Sequence, residues 1–156
     1  MKISYAITVC NELQEIQRLL NFLIKHKQEN DEIVVLLDTT KADDEMKSTL
    51  RHYERYYDNH ITIWQDKFPG HFADWKNQLT LYCFGDYIFQ IDADEIPNEN
   101  LIAVLPEVLK ENNEVDVFLV PRVNTVEGLT PEHIQKWGWR VNDAGWVNWP
   151  DYQWRI

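Results

Sequence analysis

Basic residues are scarce: 15 Lys and Arg stand against 26 Asp and Glu, a formal net charge of −11 over 156 residues. Binding a phosphate backbone needs clustered Lys and Arg, so nucleic acid is excluded as a partner. Electrostatic docking to an anionic membrane is disfavoured for the same reason. Cysteine is nearly absent. Cys10 and Cys83 lie in separate apolar segments and read as buried, reduced thiols rather than a disulfide framework. No apolar run reaches the ~18 residues of a membrane-spanning helix, so no transmembrane segment is expected. Met1-Lys2-Ile3-Ser4 opens directly into a strand pattern, without the apolar core and cleavage site of a signal peptide, and a cytoplasmic chain is expected. Glycine is also sparse, with five in the chain. There is no Gly-x-Gly-x-x-Gly for a dinucleotide and no Gly-Lys-Ser/Thr loop, which excludes a P-loop NTPase. Internal repeats and Gly-, Ser- or Pro-rich linkers are missing too, so 1–156 reads as a single domain.

What is present alternates between strand and helix. Residues 3–9 form a short apolar strand ending at Cys10-Asn11. Asn11 can cap the next helix, with Gln14 completing a capping-box pattern. Leu13, Ile16, Leu19, Leu20, Leu23 and Ile24 recur at helical spacing, giving a helix over about 12–28. A continuously apolar strand follows at 32–37, a polar helix at 42–57 and a third strand at 61–64. A helix over 71–83 would turn Phe72, Trp75, Leu79 and Tyr82 inward, and 86–92 is a fourth strand. Leu101, Val104, Leu105, Val108 and Leu109 make another amphipathic stretch before a strand at 115–123. Apolar strands alternating with helices predict an α/β fold with a mainly parallel central sheet, flanked by helices on both faces. Five of the seven Trp fall within 137–156, among Gly138, Gly145 and Pro150. That tail reads as loops with an antiparallel strand or two.

The most informative segment is Asp92-Ala93-Asp94-Glu95, directly after Tyr87-Ile88-Phe89-Gln90-Ile91. A strand of that composition is normally central and buried on both faces. Alternation along an extended backbone points Asp92 and Asp94 to one side and Glu95 toward the other. Two hard oxygen donors at the carboxyl edge of an α/β sheet suit Mg²⁺ or Mn²⁺ carrying a diphosphate. The plainer alternative is an acidic turn capping the helix after Pro97. The loops Thr8-Val9-Cys10-Asn11-Glu12 and Asp38-Thr39-Thr40 open at the same edge, where α/β domains bind nucleotides. There Glu12 could hold a ribose hydroxyl and Asp38 a base or sugar, although Asn11, Asp38 and Thr40 could equally be helix caps.

Taken in order, Thr-x-Cys-Asn-Glu, then Glu-Ile-Val-Val-Leu-Leu-Asp, then Lys-Asn, then Gly-Asp-Tyr-Ile-Phe-Gln-Ile-Asp-Ala-Asp-Glu resemble the GT-A fold glycosyltransferases. The likeness is to the family 2 type, especially the branch that adds sugars to lipopolysaccharide cores. It covers about 1–125, and Pro150-Asp151-Tyr152-Gln153-Trp154-Arg155-Ile156 resembles a later segment of that branch. The resemblance implies a nucleotide-sugar-binding half at 1–95 and an acceptor-side half at 96–156. It implies a hexosyltransferase that takes its sugar from a nucleoside diphosphate sugar, a UDP-sugar above all, and inverts the anomeric centre. A divalent Mn²⁺ or Mg²⁺ serves as cofactor, and the acceptor is a glycan or lipid-linked.

By the same resemblance Thr8, Cys10 and Glu12 fall where the donor nucleoside is held, and Asp38 falls in an acidic pair whose first member is here Leu37. Lys76-Asn77 replaces Arg-Asn, with Lys76 placed to neutralise a donor phosphate. Asp74 could hold that lysine, touch the donor or make a surface ion pair. Asp92 and Ala93 join the donor site, and Asp92 and Asp94 form the Asp-x-Asp metal motif. A base within reach of the acceptor hydroxyl should come from the second half; Asp143, Asp151 and Glu127 are candidates, and Asp151 is preferred for its Trp149-Pro150-Asp151 turn. One or two of Trp137, Trp139, Trp146, Trp149 and Trp154 should line an acceptor groove, the rest packing inward.

His133 could add a third metal ligand, though Thr130-Pro131-Glu132-His133 reads as a helix start. His26, His52, His60 and His71 have no zinc-like spacing. Relatives run on past Arg155-Ile156, so the chain is expected to be a minimal transferase, a portion of one, or a degenerate donor binder. Two alternatives come from other classes. A sugar nucleotidyltransferase would need a Gly-rich basic loop where Thr8 to Glu12 has neither Gly nor Lys. A non-catalytic nucleotide-sugar or carbohydrate binding module would not need Asp92 and Asp94 together.

Overall fold

The computed structural model describes residues 1–57 and 60–156, which form two compact units, Met1–Glu114 and Val115–Ile156. In the first, β1 (Ile3–Val9), α1 (Leu13–His26), β2 (Glu32–Asp38), α2 (Asp44–Tyr56), β3 (Ile61–Asp66), α3 (Phe72–Thr80), β4 (Tyr87–Asp92) and α4 (Glu99–Glu111) follow in chain order. The strands form one parallel sheet in the order β3-β2-β1-β4. β1 and β2 lie in the middle, and their aliphatic and aromatic residues are buried almost throughout, as strands covered on both faces require.

Right-handed crossovers place the helices. The steps from β1 to β2 to β3 run outward and put α1 and α2 on one face. The return from β3 across to β4 puts α3 on the other, where Trp75 and Leu79 pack with Ala6, Val34 and Leu36. α1 buries Ile16, Leu19, Leu20 and Leu23, the face predicted by its spacing.

Several local expectations change. β4 is an edge strand of this sheet, not a central one, and only Phe89 and Ile91 are fully buried in it. α1 is not capped by Asn11: Glu12 is its N-cap residue and makes no side-chain cap bond. The Glu12 carboxylate turns back instead to accept from the amides of Cys10 (2.9 Å) and Asn11 (3.1 Å). α3 stops at Thr80 and leaves Phe72 73% exposed, while Trp75 and Leu79 are buried.

α4 buries Ile102, Leu105 and Leu109 and leaves Val104 and Val108 outside. Apolar residues surround most of that helix, so two stripes one residue apart fit its pattern equally and packing selects between them. The boundary between the two compact units follows Glu114. His26 Nδ1 of α1 lies 3.6 Å from Glu99 Oε1 at the start of α4.

The second unit contains β5 (Leu119–Asn124), α5 (Pro131–Trp137) and β6 (Val147–Trp154), with β5 and β6 antiparallel. An antiparallel Trp-rich tail was expected. α5 begins where the Thr-Pro-Glu-His pattern placed it, closed by a capping box between Thr130 and His133. The His133 ring is engaged there, accepting from the Thr130 amide at 3.4 Å. The tryptophans pack less than expected. Trp137 and Trp139 lie 4.7 Å apart and Trp146 and Trp149 4.9 Å apart, yet Trp154 is 73% exposed.

Candidate functional site

All strands of the parallel sheet end at one edge, and three of them end in aspartate: Asp38 on β2, Asp66 on β3 and Asp92 on β4. Thr8 lies in register with Leu36 on one side and Asp92 on the other, while Asp38 is opposite Asp66. The strand order turns around between β1 and β4, so the crevice beyond their carboxyl ends is the switch point where such sheets bind ligands. Asp92 stands at that crevice.

In-register neighbours of a parallel sheet point the same way, so Gln90 and Asp92 share the face of Ala6, the face α3 covers. Gln90 reaches Thr80 of α3 at 3.4 Å. One turn earlier Lys76, held beside buried Trp75, places its Nζ 2.9 Å from Asp92 Oδ1. Lys76 and Asp92 are 30% and 36% exposed. Asp74 is not the partner of Lys76; it lies 3.6 Å from His71 Nδ1 on the surface. Asn77 is exposed on the same helix.

Extended alternation stops at Asp92. The chain turns, with the Glu95 amide donating to the Asp92 carbonyl at 2.9 Å and Glu95 Oε2 accepting from the Asp92 amide at 3.3 Å. Ala93 is buried in this turn and Asp94 exposed. The expectation that Asp94 continues the strand alternation, with Glu95 turned away, is therefore corrected: Glu95 folds back onto the end of β4.

The loops after β1, β2 and β3 are tied together through Asp38. Its Oδ1 accepts from the amides of Thr40 (2.8 Å) and Phe68 (3.2 Å). Burial opposes its charge, but donors from Thr40, Phe68 and the Cys10 thiol hold the carboxyl below its ordinary value. Burial, then the neighbouring Asp38, pushes the Cys10 thiol up.

Asp66, absent from the sequence-based site, joins this edge. Its carbonyl accepts from Thr39 at 2.8 Å and its carboxylate from Gln78 at 2.8 Å. The apolar pattern ends at Trp64, two residues short of Asp66, the last residue of β3.

In the second unit Asp151 lies within β6, opposite Arg122 of β5, and not in a turn. Its Oδ2 accepts from Arg122 Nη2 (2.8 Å), Arg122 Nε (3.0 Å) and Asn124 (2.9 Å), and its Oδ1 from Gln153 (2.8 Å). Asn124 and then Arg122 hold its carboxyl below the usual range. Asp143 and Glu127 are exposed in loops of the same unit.

A divalent metal can be tested against these donors. Among the described residues no group of three or more His, Cys, Asp or Glu is arranged to hold an ion. Asp92 and Asp94 flank Ala93 with oxygen donors only. Mg²⁺ and chemically similar ions are commonly held by one or two carboxylates, with substrate phosphates and water filling the other positions. The donor set fits an ion that arrives with a diphosphate and does not form a protein cage.

A parallel α/β sheet with helices on both faces and a polar carboxyl edge at its switch point is the class of domain that binds a ligand in that crevice. The sequence pattern of glycosyl transferase family 2 matches residues 4–152, and the chain belongs to that family. Among curated protein sequences none matches significantly. Crystal structures of TarS from S. aureus share the fold. The 1–349 portion superposes with a TM-score of 0.68 at 22% identity, over 83% of this chain and 38% of that one. The same portion in complex with UDP-GlcNAc gives 0.66 at 24% identity, over 83% and 36%. Its complex with UDP gives 0.67 at 22% identity, over 83% and 38%. The chain thus spans well under half the length of these neighbours. No helix among the described residues is long and apolar enough to cross a membrane.

Proposed function

We propose that the protein is a cytoplasmic, metal-dependent hexosyltransferase that moves a sugar from a nucleoside diphosphate sugar, a UDP-sugar, to a hydroxyl of a glycan or lipid-linked acceptor, with inversion. The observation that carries this is Asp92 at the crevice between β1 and β4, with Thr8 in register beside it and Asp94 exposed in the following turn. The TarS complexes with UDP and UDP-GlcNAc support a uridine donor, and the Asp-Ala-Asp-Glu run supports the lipopolysaccharide-core branch.

In this reading Thr8, Cys10, Glu12 and Asp38 form the nucleoside side of the site. Lys76, Asn77, Asp92 and Ala93 form the diphosphate side, and Asp92 and Asp94 hold Mn²⁺ or Mg²⁺. When bound, that ion neutralises charge developing on the leaving diphosphate. Asp38 lies two strands from β4, about 10 Å at ~4.8 Å per strand, which separates base recognition from the phosphates. Asp151 is the general base. The acceptor proton passes to its carboxylate as the acceptor oxygen bonds to the anomeric carbon and the carbon–oxygen bond to the diphosphate breaks.

The test is calorimetric titration of a panel of nucleoside diphosphate sugars, each with Mn²⁺ and with chelator, against the wild type and Asp94→Ala. Binding of one donor that needs Mn²⁺ and is lost in Asp94→Ala, with melting unchanged, is the expected result. Donor affinity that ignores both chelator and Asp94→Ala would overturn the metal assignment.

A further inference from the structure

Asp92 already has a cation. Lys76 Nζ lies 2.9 Å from its Oδ1, and this is one of the two carboxylates assigned above to the divalent ion. An ammonium and a divalent ion at the same carboxylate repel each other, and the partly buried setting screens that repulsion less than open water does. Each therefore weakens the other until further negative charge arrives. The diphosphate of a donor is such a charge.

The chemistry of lysine makes exchange practicable. Its ammonium is a compact point charge on a flexible four-carbon stem, whereas an arginine would grip the carboxylate in a bidentate fork. Asp74, the nearest acidic residue on α3, lies beside His71 instead, so the ion pair joins α3 to the end of β4. The backbone at this point is fixed by buried Trp75, leaving the stem as the part free to swing.

We propose that Lys76 is a resident counter-ion that suppresses divalent-metal binding in the absence of donor and couples metal capture to the diphosphate. In the free protein the ammonium sits on Asp92. When a nucleoside diphosphate enters, the ammonium transfers to a phosphate oxygen and frees the Asp92 oxygen for the metal. Lys76 is thus a positioning residue that imposes cooperativity between two ligands, and by linkage the metal tightens the nucleotide by the same factor as the nucleotide tightens the metal. The inference rests on the metal-dependent reading above.

The experiment is titration of free Mn²⁺, followed by its electron paramagnetic resonance signal, into the whole chain with and without UDP. Wild type, Lys76→Met and Lys76→Arg are compared, with thermal melts confirming that each is folded. In the wild type UDP should tighten Mn²⁺ by about tenfold or more, within the usual range of such couplings. Lys76→Met should bind Mn²⁺ alone about tenfold more tightly than wild type, and its gain from UDP should shrink by that factor. Lys76→Arg should keep the low affinity for Mn²⁺ alone.

If Lys76→Met binds Mn²⁺ alone no better than wild type, while UDP still tightens Mn²⁺ in both, the counter-ion role is overturned and the metal site stands. If no form binds Mn²⁺ even with UDP, the metal-dependent reading falls and the coupling with it.

Discussion

Asp38 accepts a hydrogen bond from the backbone amide of Phe68, 30 residues further along the chain, at 3.2 Å. The same oxygen takes the Thr40 amide, so one carboxylate sets the spacing of the loops that follow β2 and β3. Asp38→Ala should lower stability by about 1–2 kcal/mol, the cost of leaving such donors unmatched at a partly exposed site. For a chain of this size that is roughly 2–8 °C in melting temperature. Folding holds the carboxyl below its unfolded value, so its contribution is complete above the ordinary carboxylate range. It is lost as pH falls through that range and down through the lowered folded value. Melting temperature against pH should therefore decline less on acidification in Asp38→Ala than in wild type; parallel curves would show that the tie contributes nothing.

Gly85 has no room for a side chain. A Cβ there would lie 2.6 Å from the Ser4 amide nitrogen and 2.8 Å from the Tyr87 carbonyl oxygen, both backbone atoms of the sheet's amino edge. Gly85 also donates its amide to Ser4 Oγ at 2.8 Å, and Ser4 in turn donates to Glu32 at 2.6 Å. Gly85→Ala should cost about 3 kcal/mol by forced backbone displacement, or roughly 6–12 °C. Gly70→Ala meets nothing within 4 Å but sits at φ +89°, so its cost is conformational alone, about 1 kcal/mol. Thermal melts of the two variants separate crowding from backbone strain.

The two apolar stripes of α4 give a second stability test. Leu109→Ala removes a fully buried side chain and should cost about 2–5 kcal/mol. Val108→Ala, one residue away on the exposed side, should stay within ~0.5 kcal/mol. Equal losses in urea unfolding would mean that α4 is rotated from the orientation described here.

For Asp151 the measurement is a rate–pH profile. Asp151→Asn should reduce kcat by about 10²-fold or more if it takes the acceptor proton. Arg122→Ala removes two donors that keep the carboxyl acidic. The acid limb of the profile should then move to higher pH, since the base protonates sooner. An unmoved limb would assign proton transfer to another group and leave Asp151 as a strut between β5 and β6.

The layered α/β fold was legible because β1 and β2 are apolar without interruption and α1 repeats at helical spacing. The place of Asp92 at the carboxyl end of β4 was legible because the apolar run before it marks the strand. Other features were hidden for identifiable reasons. A stripe of Leu101, Val104 and Val108 and one of Ile102, Leu105 and Leu109 are equally apolar, so only tertiary packing distinguishes them. That the Glu12 carboxylate closes a turn of its own backbone is set by the φ and ψ of the loop, which no residue pattern marks. The Lys76–Asp92 pair joins residues on elements that meet only because β4 returns across the sheet, which helical spacing within α3 cannot reveal. Asp66 was overlooked because β3 runs two residues past the apolar stretch that marked it.

Trp75 is 2% exposed and wedged against Ala6, Val34 and Leu36, one residue before Lys76. With that anchor fixed, moving the ammonium between partners requires only rotation about side-chain bonds, which in accessible residues takes picoseconds to nanoseconds. Turnover at typical enzyme rates is many orders of magnitude slower. If Lys76 exchanges partners as proposed, side-chain rotation is fast enough for the exchange to keep pace with donor entry and departure.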